Sequence, residues 1–122
     1  MVKIVIMDWK TFNDKVKSEI EEGIKKRSFR KENGVIYAES IDAARSIMTS
    51  ERMRLLATVK KRHPASLYQL AKDMKKDIKT VFTDATLLAG FGLLSLEKNN
   101  GGGKVRIRPR LISSKITFEL AV

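Results

Sequence analysis

A chain of 122 residues with 43% apolar side chains can bury one core, or one core with an appended unit. It has no cysteine and a single histidine, His63, which excludes disulfides, thiolate metal sites, a cysteine nucleophile and multi-histidine metal clusters. The formal charge of +11 favours a polyanionic partner, and it is uneven: residues 1–48 carry 10 basic and 8 acidic side chains, residues 49–122 carry 15 and 6.

The N-terminal MVKIVIM is interrupted by Asp8 too soon for a signal peptide, and no apolar run reaches the roughly 18 to 20 residues of a membrane span. A cytoplasmic protein without membrane contact, cofactor or metal is expected. An enzyme would be left with carboxylates, hydroxyls and lysines, and none is expected.

Val2 to Met7, β-branched and apolar almost throughout, predicts a strand. Thr11 with Asp14 resembles a capping box, and Phe12, Val16, Ile20 and Ile24 form one stripe of a helix ending near Arg27. Asn33-Gly34 is a two-residue turn signal between Ser28–Lys31 and a second strand, Val35 to Glu39. This β-α-β unit has few apolar side chains and is expected to need further packing, on the rest of the chain or on a second copy. Trp9, Phe12, Phe29, Tyr37 and Phe118 are read as core or dimer packing rather than base stacking.

Ile41 to Met48 predicts a short connecting helix. Thr49 then caps a longer one with Met53, Leu56 and Val59 inward, ending in the cationic turn Lys60, Lys61, Arg62 before Pro64. Those three cations read as a favourable helix C-terminus, and His63 as a loop residue. Ser66 and Gln69 form an S-x-x-Q capping box opening a helix with Leu67, Leu70, Ala71 and Met74 inward. After Lys75-Lys76, Asp77 caps a further helix with Ile78, Val81, Ala85 and Leu88 inward, and Gly90 or Gly92 ends it in a left-handed conformation.

From Leu93 the period becomes alternating. Leu94 and Leu96 lie on one hairpin arm and Val105 and Ile107 on the other, separated by residues 98–104, while Lys104, Arg106 and Arg108 share one face. After Pro109, the alternation Ile116, Phe118, Leu120 predicts a final strand.

Two capped helices followed by a basic hairpin is the order of a winged helix-turn-helix, whose second helix enters the DNA major groove. With Ile78, Val81, Ala85 and Leu88 inward, the opposite side of that helix offers Lys76, Lys79, Thr80 and Thr83 to bases and nearby phosphates. Ser66, at the start of the preceding helix, joins them as a DNA-binding candidate. Asn99, Asn100, Lys104, Arg106 and Arg108 of the hairpin would approach the neighbouring backbone or minor groove, adding affinity and salt dependence more than sequence choice. Asp84, acidic on such a helix, is read as an intramolecular partner of Arg52 or Arg54. Glu21, Glu22, Asp73 and Asp77 form no second titratable constellation and read as solvated surface.

The pattern Thr49-x-x-Arg52-x-x-Leu55-Leu56, Ser66-x-x-x-Leu70-Ala71 and Val81-x-x-Asp84-x-x-x-Leu88-x-x-x-Gly92-Leu93-Leu94 resembles the MarR/ArsR-like winged helix regulators of archaea and bacteria. It is most similar to a small subgroup in which a β-α unit precedes the winged helix. The resemblance covers residues 45–120 and implies a winged helix, double-stranded DNA as ligand and commonly a homodimer. Lys75 departs from it, standing where glycine is frequent, as does Thr83, where arginine is common. The expectation is an α+β protein with an N-terminal β-α-β dimerisation or partner unit over residues 1–48 and a winged helix-turn-helix over 49–122. Its expected role is a homodimeric, sequence-specific transcriptional repressor. The alternatives are an antitoxin-like module binding a toxin-like protein through the N-terminal unit, since some members of that subgroup are similar to antitoxins, and an RNA-binding winged helix.

Overall fold

The computed structural model describes residues 2–7, 29–32, 35–103 and 105–121. The helix expected over residues 11–27, the turn Asn33-Gly34 and Lys104 lie outside them. The chain is α+β and divides into two compact units, residues 1–49 with 115–122, and residues 50–114.

Among the described residues the first unit is built on a four-stranded sheet. Strand β1 (Val2–Ile6) lies between β3 (Val35–Ala38) and β6 (Ile116–Leu120), parallel to both, and β2 (Phe29–Glu32) pairs antiparallel with β3 at one edge. As an inner strand β1 buries apolar side chains on both faces: Val2 and Ile4 on one, Val5 and Met7 on the other, where they pack against Val35 and Tyr37. Helix α1 (Ile41–Ile47) lies against β1 and β3, buries Ala43, Ala44 and Ile47, and is capped by the Ser40 hydroxyl, which accepts the Ala43 N–H at 3.0 Å.

The final strand was expected within a winged-helix unit beginning at residue 49. It instead pairs with β1 over five residues, from Val2↔Ile116 to Ile6↔Leu120, and the Ala121 N–H extends the ladder to the Ile6 carbonyl at 2.8 Å. The first unit thereby gains the strand that its own sequence lacks. The second unit is an insertion between α1 and β6.

Among its described residues that second unit holds three α-helices and a hairpin. Helix α2 (Ser50–Arg62) buries Leu55 and Val59, whereas Met53, expected inward, is exposed: the inner face runs through Leu55 and Val59, four residues apart. It stops at His63, held at φ 46° ahead of buried Pro64. Helix α3 (Leu67–Met74) buries Leu67, Leu70, Ala71 and Met74, and α4 (Ile78–Gly90) buries Val81, Ala85 and Leu88; Ile78 is only half-buried. Gly92, at φ 83°, supplies the left-handed turn after α4.

Strands β4 (Leu94–Asn99) and β5 (Arg106–Leu111) form the hairpin, in register from Leu94↔Leu111 to Asn99↔Arg106. Gly102 and Gly103 take φ 71° and 75° at its tip, a conformation that favours glycine. Pro109 sits buried within β5 opposite Leu96, where a two-stranded ribbon tolerates a missing N–H on its outer edge. Val105, expected inward, precedes β5 and is exposed. Helix α2 packs on α3, α4 and β5, and α4 on β4, so the hairpin is anchored to the helices at its base.

Candidate nucleic-acid interface

Helix α4 owes its position to its caps and to α2. The Asp77 carboxylate accepts the Thr80 N–H at 2.9 Å and the Thr80 hydroxyl at 2.7 Å, closing the first turn. These two bonds, backbone first, hold the Asp77 carboxyl below the usual carboxylate range. Mid-helix, the Arg52 Nε donates to Asp84 Oδ1 at 3.2 Å, with both side chains largely buried at 17% and 18% exposure. Asp84 is thus an internal partner of Arg52, as the sequence suggested.

The turn from α3 to α4 is clamped from the same side. Lys75 adopts φ 56° and its N–H donates to the Lys72 carbonyl, while the Lys76 N–H returns to that of Ala71 at 3.0 Å. The Arg54 guanidinium donates to the Met74 carbonyl at 2.8 Å. Glu51 forms ion pairs with Lys76 and, at 3.7 Å, with Arg54; the hydrogen bond from Lys76 is the main reason its carboxyl titrates below the usual range. Lys76 was expected to reach DNA. Its ammonium is held by Glu51 of α2, because the turn places it over the first turn of that helix.

The outward side of α4 carries Lys79, Thr80, Phe82, Thr83 and Thr86, all exposed, opposite Val81, Ala85 and Leu88. The Thr83 hydroxyl donates to the Lys79 carbonyl at 3.0 Å, as that of Thr80 does to the Asp77 cap, so both candidate threonines have their proton committed and offer a partner a methyl group and oxygen lone pairs. Ser66 accepts the Gln69 N–H at 3.1 Å as N-cap of α3, while the Gln69 amide turns to Asp73 rather than completing the capping box.

Lys79 and Arg106 come together. They line one cleft of about 340 Å³ between α3, α4 and the hairpin, with Leu67, Ile78, Phe82 and Ile107. An adjoining depression contains Ser66, Gln69, Lys72 and again Arg106. Arg108, two residues on, lines a different cleft with Lys60, His63 and Arg110, where Glu97 offsets part of the charge. Arg110 pairs with Glu97 at 3.5 Å. Asn99 and Asn100 are exposed at the far end of β4. Sequence reasoning passed over Phe82 and Thr86; the spacing of Lys79, Phe82, Thr83 and Thr86, complementary to the buried stripe, was the signal that could have found them.

The HVO_A0114 family model matches residues 47–116, more than half of the chain. Among solved structures, a possible transcriptional regulator from Methanosarcina mazei Go1 is similar at 15% identity, covering 73% of this chain and 78% of that one with a TM-score of 0.49. No curated protein matches.

Proposed function

We propose that this chain, which belongs to the HVO_A0114 family, is a sequence-specific DNA-binding transcriptional regulator whose residues 50–114 act as a winged helix-turn-helix. The observation that carries this reading is the cleft shared by Lys79 of α4 and Arg106 of β5, a helix and a hairpin presenting cations side by side. The local charge supports it: residues 50–114 hold 14 basic and 5 acidic side chains, a net of +9. Lys79 reaches guanine acceptors or phosphate, and Thr80 and Thr83 turn methyl groups toward base edges. Arg106 and Arg108 hold the backbone.

The protein acts as a homodimeric repressor in the cytoplasm, occluding its operator. The first unit suits dimerisation, since β6 is an edge strand of its sheet among the described residues and exposes Phe118 and Leu120. Among the described residues no helix is long and apolar enough to cross a membrane.

Fluorescence anisotropy of the full chain with labelled duplex DNA and with hairpin RNA tests the reading. Binding to the duplex that weakens linearly in log–log form with added salt is expected. Equal affinity for the RNA would overturn it.

A further inference from the structure

The cleft beside Lys79 and Arg106 is lined by apolar side chains that a monomer leaves in water. Tyr68 is 74% exposed, Val105 67% and Phe82 47%. Leu67, Ile78 and Ile107 complete the lining, Lys79 and Arg106 stand at its rim, and Lys72 is in the adjoining depression. No carboxylate lines either one among the described residues. Exposed apolar surface clustered in one concavity and rimmed by polar groups marks a place of contact.

We propose that this cleft is the apolar part of the DNA-binding face, in which Phe82 packs against a thymine methyl group in the major groove while Tyr68 lies along the flanking sugar–phosphate backbone. The proposal rests on the reading that α4 and the hairpin face a duplex. Phe82 lies one helical turn from Lys79 and next to Thr83 on the outward side of α4. A helix laid in the groove so that Lys79 reaches base edges brings the Phe82 ring to the same depth. A phenyl ring has no hydrogen-bonding capacity, and in the major groove thymine alone among the four bases presents a methyl group. Phe82 therefore selects T·A pairs through the methyl group, independently of what Lys79 reaches. Tyr68, near the start of α3, has a hydroxyl able to donate to a phosphate oxygen.

Charge decides between DNA and a second copy of the chain as occupant. Two copies joined through this same face would set Lys72, Lys79 and Arg106 against their equivalents, with no lining carboxylate to offset them. A polyanion neutralises the same three cations and covers the rings between them.

The test uses the full chain and a duplex that it recovers from a random pool, with each thymidine replaced in turn by deoxyuridine, which removes only the methyl group. At one or two positions per half-site the wild type should lose about four-fold in affinity, the value of burying one CH₂-sized group. Phe82→Ala should bind the two duplexes equally, whereas Lys79→Ala should keep the methyl preference. Retention of the duplex with no methyl preference at any position, or an equal preference in Phe82→Ala, overturns this proposal alone. So does a shift of Phe82→Ala from dimer to monomer in sedimentation with unchanged DNA affinity, which would assign the face to a second copy. Failure to retain any duplex overturns the DNA reading itself.

Discussion

Thr80 donates its hydroxyl proton to Asp77, and Thr83 donates its own to the Lys79 carbonyl. Residue type and spacing are legible from a sequence, but which donors are already committed is decided by rotamers that only the folded helix defines. The Asp84–Arg52 pair was legible because an acid on a helix otherwise bearing cations needs a local partner; the Lys76–Glu51 pair was not, since it depends on the path of a turn. Asp77 yields a pH prediction. Its carboxyl titrates below the ordinary value of 3.8 when folded, so the stability it contributes is present above that pH and disappears as pH falls through the lowered pKa. Asp77→Asn keeps an acceptor for the Thr80 N–H but not the charge. Calorimetry should find the wild type melting higher at neutral pH, with the difference closing in acid; a difference constant with pH would contradict the assignment. Asp84→Ala leaves the Arg52 guanidinium largely buried without this partner and should cost roughly 1 to 3 kcal/mol in urea unfolding. A loss within experimental error would mean that the pair is dispensable.

At the scale of elements, what the sequence announced was whatever is locally determined. The inner face of α3 appears as expected residue for residue, because the Ser66 cap, the apolar spacing and the left-handed stop at Lys75 all lie within one short segment. Lys75 also carries a cost, since a side chain at φ 56° crowds the following carbonyl. Lys75→Gly should raise stability by up to about 1 kcal/mol in denaturant titration, the relief of strain being reduced by the greater freedom of glycine when unfolded. A destabilised variant would show that the Lys75 side chain makes a compensating contact. Expectation failed where structure is non-local. Nothing near Ile116 signals that its partner is Val2. Met53 was misread because an i, i+3 stripe through Leu56 and Val59 and an i, i+4 stripe through Leu55 and Val59 fit the same sequence.

At the scale of the whole molecule, the uneven charge argues a division of labour, with +9 on residues 50–114 and +2 on the remainder. Arg106→Ala with Arg108→Ala should weaken binding to specific and random duplexes alike and flatten the dependence of log K on log salt by about 0.9 for each phosphate that is no longer neutralised. An unchanged slope would remove the hairpin from the interface. On the proposed reading Lys79→Ala has the opposite signature, because a base-edge contact affects choice more than attraction. The most direct test of sequence-specific recognition therefore lies in the duplexes that the full chain enriches from a random pool. A two-fold symmetric motif is predicted, with half-sites about 10 base pairs apart, whose enrichment over random sequence falls in Lys79→Ala while the thymine-methyl preference persists. A pool that leaves the selection with no preferred sequence would contradict it.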